Sequence, residues 1–369
     1  MKNKESIKKI LKRVFEQTDD NNASLIYLGL HELRLQLQDL SKNEANSLLF
    51  KYSVSKKQDL DTFQDLYDKI LDKRKRDSYE IIIPLSFTIP RRRFSFLGQN
   101  YKVLKKFKEE KRGSIKSFLV TKVTGNSIED SWMEVSNNVY TLIGILTHIQ
   151  FNFRYGWTEH FEERRKINFP TKIYSKSTRQ ESLELAYDFK STKNITEFDS
   201  KKIARFNKML RKYRTVPLRN SIDSLLLGSF LVYGYSMNSV SVYSSYLNFW
   251  QIIELLTLSE EFGGQTNKIV NRIRWLIEEK LDEPNIAEFT LKSIAEKRND
   301  LVHRGIVEID QEDSNILKFI CDFLIDWLSK SKDIKDKNTL RYFYSLRSKN
   351  NQDLLLTKKV ANQIIRERK

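Results

Sequence analysis

Over the first 70 positions apolar residues show helical periodicity, for example Leu25, Leu28, Leu33 and Leu35 to Leu37, and another helix is expected around residues 60–71. The period then shortens to two. Residues 79–89 (YEIIIPLSFTI) and 115–123 (IKSFLVTKV) predict strands, and Pro84, which lacks an N–H for a sheet ladder, predicts that the first is an edge or bulged strand. Helical spacing returns over residues 128–150, where Asn126 or Ser127 can cap the free N–H groups. A polar loop is expected over residues 155–178. After Asp199 the pattern predicts only helices, at 219–235, 242–258, 266–280, 286–302 and 312–328, joined by short connections as in an antiparallel bundle. Polar residues 190–200 and Pro217 place a boundary within 190–220. The expectation is a mainly α chain: an α+β N-terminal domain (1–200), a C-terminal antiparallel helical bundle (215–332) and a basic helical tail (333–369).

Composition narrows the function classes. With 5 Pro and 11 Gly in 369 residues, long disordered and collagen-like architectures are excluded. The basic N-terminal stretch MKNKESIKKILKRVF lacks the apolar core of a secretion signal, and the longest apolar stretches, 139–149 and 225–235, are too short to span a bilayer. A cytoplasmic protein with no membrane partner is expected. The single Cys321 excludes a disulfide framework, and His31, His148, His160 and His303 show no ligand spacing, so neither metal nor cofactor is expected.

The net charge of +17 calls for a polyanion, and its distribution says where. Residues 73–122 hold 15 basic and 4 acidic side chains, residues 221–330 hold 10 and 17, and residues 331–369 hold 11 and 4. Capture is therefore expected outside the acidic bundle. Arg91, Arg92, Arg93, Lys102, Lys105 and Lys106 are interleaved with Phe94, Phe96 and Tyr101. Either the cations track phosphates while the rings stack on unpaired bases, or the rings point into the N-terminal core.

No Gly-rich phosphate loop and no GxSxG elbow exists. One constellation stands out, residues 295–305 (AEKRNDLVHRG), at the end of a helix that Gly305 terminates. An Arg five positions before a His arises readily by chance, so context has to carry the reading. At about 100° per residue Asn299 and Asp300 share a face with His303, and either can fix its tautomer, whereas Arg298 lies about 140° round the axis. Arg298 must bend back or meet the histidine of a second copy. Upstream, residues 246–256 (YLNFWQIIELL) place Glu254 inside an apolar run, where a carboxylate needs a cation that Arg298 or Lys297 can supply. Trp250, Trp275 and Trp327 fall at core spacing and are expected to pack.

KRNDLVHRG resembles the signature of the HEPN superfamily, in which Arg, a polar residue and a His end a bundle helix. NFWQIIELL is similar to the Trp-x-x-x-Glu helix of its Apea-like branch. The resemblance covers residues 221–330, and residues 128–149 resemble more faintly the region before the bundle in long bacterial members. It implies a dimeric, metal-independent endoribonuclease that cleaves RNA to leave a 2′,3′-cyclic phosphate. It further implies an effector or toxin of bacterial anti-phage defence or abortive infection, with an antitoxin, trigger or partner protein. By this resemblance His303 moves the proton, Arg298 neutralises the scissile phosphate and Asn299 is the polar residue after Arg, with Glu254, Asp300 and Lys297 in support. The alternative is a non-catalytic bundle that dimerises as a scaffold while the basic N-terminal half binds nucleic acid.

Overall fold

The computed structural model describes residues 48, 62–67, 77–106, 115–125, 128–154, 167–170, 172–176, 180–185, 198–239, 241–281, 284–305, 308–347, 349 and 351–367. The helical pattern from Leu25 to Leu37, the caps Asn126 and Ser127, and His31 and His160 lie outside them. The chain forms two compact units, Met1–Tyr79 with Thr124–Ser131, and Glu80–Val123 with Trp132–Lys369. In the smaller one residues 62–67 are helical, with Phe63 and Tyr67 buried. The larger one contains residues of the sheet and the helices after Asp199, so the boundary expected within 190–220 falls inside a single unit.

The architecture is mainly helical with a six-stranded sheet. Its strands are β1 (Asp77–Leu85), β2 (Arg93–Phe96), β3 (Gln99–Leu104), β4 (Ser117–Gly125), β5 (Lys172–Lys176) and β6 (Gln180–Glu184), in the order β2-β3-β4-β1-β5-β6. The helices are α1 (Ile128–Phe151), α2 (Ser200–Lys212), α3 (Ile222–Asn238), α4 (Val242–Leu256), α5 (Thr266–Leu281), α6 (Pro284–Arg304), α7 (Gln311–Lys330), α8 (Lys337–Arg347) and α9 (Asn351–Glu367).

Two strand expectations are corrected. β1 is not an edge strand: it lies between β4 and β5, and Pro84 falls beyond its register with β5, which runs from Glu80 to Ile82. The polar loop expected at 155–178 contains β5, which pairs antiparallel with β6 from Lys172↔Glu184 to Lys176↔Gln180. Its buried positions among the described residues are only Ile173 and the polar Ser175, flanked by Lys172, Tyr174 and Lys176, too short a pattern to register as period two.

The basic stretch folds as the hairpin β2–β3, turned by Leu97 at φ 51° and Gly98 at φ 80°. Positive φ at both central residues is the two-residue turn that matches strand twist, and glycine reaches it without steric cost. The tip is fixed in place: the Leu97 and Gly98 N–H groups donate to the carbonyls of Tyr213 and Arg214, just past α2, at 2.8 and 2.9 Å. Alternation then sorts the side chains. Phe94, Phe96 and Tyr101 are buried, and Phe94 stacks on Tyr101 and meets the Phe206 ring edge-on.

The helices begin where short polar side chains can accept their free N–H groups. Asp199 accepts from Lys202, Ser221 from Ser224, and Asp310 and Asp313 form a reciprocal capping box at α7. Helices α1 and α3 cross at glycines: a Cβ on Gly144 would lie 1.8 Å from the Phe230 carbonyl oxygen, so the backbones touch there. Behind this crossing the core holds a fully buried polar cluster. The Asp322 carboxylate accepts from Lys318 Nζ at 2.7 Å, the Tyr233 hydroxyl at 2.9 Å and the Phe153 N–H at 3.0 Å. Lys318 also donates to the Phe151 carbonyl, and His148 Nε2 lies 3.5 Å from Asp322. The expected tail is two helices. α8 buries Leu340 and Tyr344, whose hydroxyl donates to the Leu256 carbonyl at 2.9 Å, whereas α9 leaves Leu356, Val360 and Ile364 exposed.

Candidate active site

The site is built by α4 and α6. Trp250 and Glu254 are one turn apart on α4, so they share a face, and the indole Nε1–H donates to Glu254 Oε1 at 2.8 Å. The same oxygen accepts from Arg298 NH2 at 2.9 Å, across from α6. The guanidinium also lies over the Trp250 ring, 5.9 Å from its centroid. Glu254 therefore has the cation that its apolar surroundings demand, and Arg298 is the one that supplies it.

Lys297 goes elsewhere. Its ammonium is bidentate on Asp313, at 2.7 and 2.6 Å, which joins α6 to the capping box of α7. A third tie is the Tyr246 hydroxyl, which donates to the Ile294 carbonyl; burial pushes its pKa far up, so it stays a donor. These contacts fix α6 against α4 and hold Arg298 in place.

Asn299 Oδ1 accepts from Arg298 NH1 at 3.3 Å and from the Thr266 hydroxyl of α5 at 3.2 Å. Asp300 pairs with Arg304 at 3.3 Å. Neither of them orients His303, contrary to expectation. Arg304 stands four residues after Asp300 and is permanently charged, so it takes the carboxylate, while Asn299 is turned towards α5. His303 is exposed in the last turn of α6, before Gly305 at φ 68°, and makes no hydrogen bond or ion pair among the described residues.

Chemically, Arg298 spends two of its five N–H donors, on Glu254 and Asn299, and its side chain is 21% exposed. His303 presents an imidazole to solvent. Within one chain the two are separated by about 140° round the helix axis and about 7.5 Å along it. Trp250, expected only to pack, and Thr266 are the site residues that sequence reasoning missed. The Trp-to-Glu spacing of four was the available signal for the first.

The six cations expected to hold nucleic acid, Arg91, Arg92, Arg93, Lys102, Lys105 and Lys106, are all exposed. Phe94, Phe96 and Tyr101 are buried beneath them, so the rings belong to the core and are not offered to bases. Among the described residues no group of three or more His, Cys, Asp and Glu side chains is arranged to hold a metal ion, and no helix is long and apolar enough to cross a membrane. Compared with protein-family models, curated proteins and solved structures, the chain shows no match.

Proposed function

We propose that the protein is an endoribonuclease of the HEPN type, in which Arg298 and His303 cleave RNA without a metal ion. The observation that carries the reading is the fixed Arg298: its guanidinium is held by Glu254 and Trp250, five residues before an exposed histidine at the helix end. An imidazole in its neutral form can accept the 2′-hydroxyl proton. The 2′-oxygen then attacks the adjacent phosphorus, the bond to the 5′-oxygen breaks, and the leaving oxygen takes up a proton. The products are a 2′,3′-cyclic phosphate and a 5′-hydroxyl. Arg298, with its remaining donors, neutralises the charge that gathers on the phosphoryl oxygens.

The separation of Arg298 from His303 supports a homodimer, in which His303 of one copy serves Arg298 of the other. Residues 221–330 would then be the bundle of this superfamily. A cytoplasmic effector of anti-phage defence, silent until triggered by a partner or the loss of an antitoxin, is the role such an enzyme fits.

One observation favours the second reading, a non-catalytic scaffold: neither Asn299 nor Asp300 orients His303. Incubating the purified chain with RNA in excess chelator separates the two. Cleavage that His303→Ala abolishes supports the nuclease. Cleavage that requires Mg²⁺, that survives His303→Ala, or that is absent overturns it.

A further inference from the structure

The outer face of the sheet carries an arrangement that the fold does not need. In the β2–β3 register Arg93 stands directly opposite Lys102. In the β3–β4 register Tyr101 faces Thr121 and Lys102 faces Val120, which places Lys122 opposite Asn100. Directly opposed residues of an antiparallel pair point to the same face, so Arg93, Lys102 and Lys122 share one side while Phe94 and Tyr101 fill the other. Opposed like charges on neighbouring strands destabilise a sheet. All three cations are exposed, and among the described residues none of them forms an ion pair. They line a groove of about 610 Å³ with Ser95, Asn100 and the half-buried Glu80, and Phe94 and Tyr101, which also border it, are themselves buried.

We infer that this groove binds the phosphodiester backbone of a nucleic-acid strand and reads no bases. The cations sit on three adjacent strands, about 5 Å apart directly and about 7–8 Å apart on the diagonal. Such a row suits successive charges on a polymer better than one small anion. The rings that would stack on bases are turned into the core, so affinity comes from phosphate contacts alone; such binding is indifferent to sequence and falls steeply with salt. Anchoring of the hairpin tip to the Tyr213 and Arg214 carbonyls keeps the row in register. Lys122 enters the surface through the pairing of β3 with β4, and Arg91, Arg92, Lys105 and Lys106 lie outside the groove. The inference rests on the proposed nuclease only for naming RNA as the polymer.

The test measures binding on the full chain carrying His303→Ala, so that failure of cleavage cannot disguise the result. Fluorescence anisotropy with ~20-nucleotide oligo(U), oligo(A) and mixed-sequence RNA, between about 50 and 200 mM salt, compares this chain with Arg93→Ala/Lys102→Ala/Lys122→Ala and with a charge-matched control, Lys201→Ala/Lys208→Ala/Lys335→Ala. The expected result is equal affinity for all three RNAs within about twofold. The groove variant should bind at least about tenfold more weakly, with its log K against log salt slope reduced by about 2, and the control should bind as the parent does. Unchanged binding by the groove variant, an equal loss in the control, or a tenfold preference among the RNAs would overturn the inference, as would polyglutamate binding the groove as tightly as RNA. Lys102→Ala alone, which relieves the opposed charges, is expected to melt no lower than the parent and to weaken RNA several-fold, so the claim stays testable if the triple variant misfolds.

Discussion

Glu254 Oε1 accepts from Arg298 NH2 at 2.9 Å and from Trp250 Nε1 at 2.8 Å, so one carboxylate oxygen fixes a cation 44 residues away in sequence and also the ring on which that cation rests. Glu254→Gln keeps the shape but removes the charge. The expected outcome is a loss of cleavage of about 10–100-fold through misplacement of Arg298, with a stability cost of only about 1 kcal/mol. Single-turnover cleavage and urea unfolding of the same variant check the two halves. A cleavage rate equal to that of the parent would remove Glu254 from the site.

The angular separation of Arg298 from His303 has a direct consequence for mixing. If the histidine of one copy serves the arginine of the other, Arg298→Ala and His303→Ala chains are each inactive, and a mixed dimer regains one intact site. Cleavage assayed after co-refolding equal amounts of the two is expected to recover. Persistent inactivity, with mixed dimers shown to have formed, would place both residues' action within one chain.

Where α1 crosses α3, Gly144 leaves no room for a methyl group against the Phe230 carbonyl. Gly144→Ala is expected to force the helices apart and to cost about 1–3 kcal/mol or more, seen as a lower urea midpoint. Gly234→Ala would meet the Phe169 ring and the Gly144 Cα at 3.2–3.3 Å, a tighter but adjustable contact, and should cost less.

Burial holds the His148 imidazole well below its ordinary pKa of 6.5, reinforced by the cations Arg205 and Lys318. The unfolded chain takes up a proton below pH 6.5 that the folded chain refuses. This contribution to stability is present above pH 6.5 and is lost on acidification, at about 1.4 kcal/mol per pH unit. Urea unfolding at pH 7, 6 and 5 is expected to show that decline, and His148→Phe should flatten it relative to the parent. Identical pH slopes for both chains would contradict the assignment.

The sequence located the five helices between residues 219 and 330 to within a few residues, because long helical stretches repeat their signal many times. Short elements lacked that redundancy, and β5, with one buried isoleucine between lysines, read as loop. For the site, Glu254 announced itself as a carboxylate in an apolar run, and charge balance left Arg298 and Lys297 as its two candidate partners. Lys297 looked equally suitable, and only the approach of α7 with Asp313 shows why it is taken. The buried Lys318 and Asp322 are spaced like any solvated pair on a helix surface. Nothing local distinguishes them, since their burial depends on Phe151, Phe153 and Tyr233 arriving from distant segments. The aromatic residues among the basic ones were ambiguous for the same reason, and the hairpin settles them by alternation.

The most direct measurement is the chemistry of the ends left on RNA cut in excess chelator, with the parent and His303→Ala side by side. The proposed mechanism predicts a 2′,3′-cyclic phosphate and a 5′-hydroxyl from the parent, no cleavage of RNA methylated at its 2′-oxygens, and none by His303→Ala. Ends carrying a 5′-phosphate, cleavage of the methylated RNA, or undiminished cleavage by His303→Ala would contradict it.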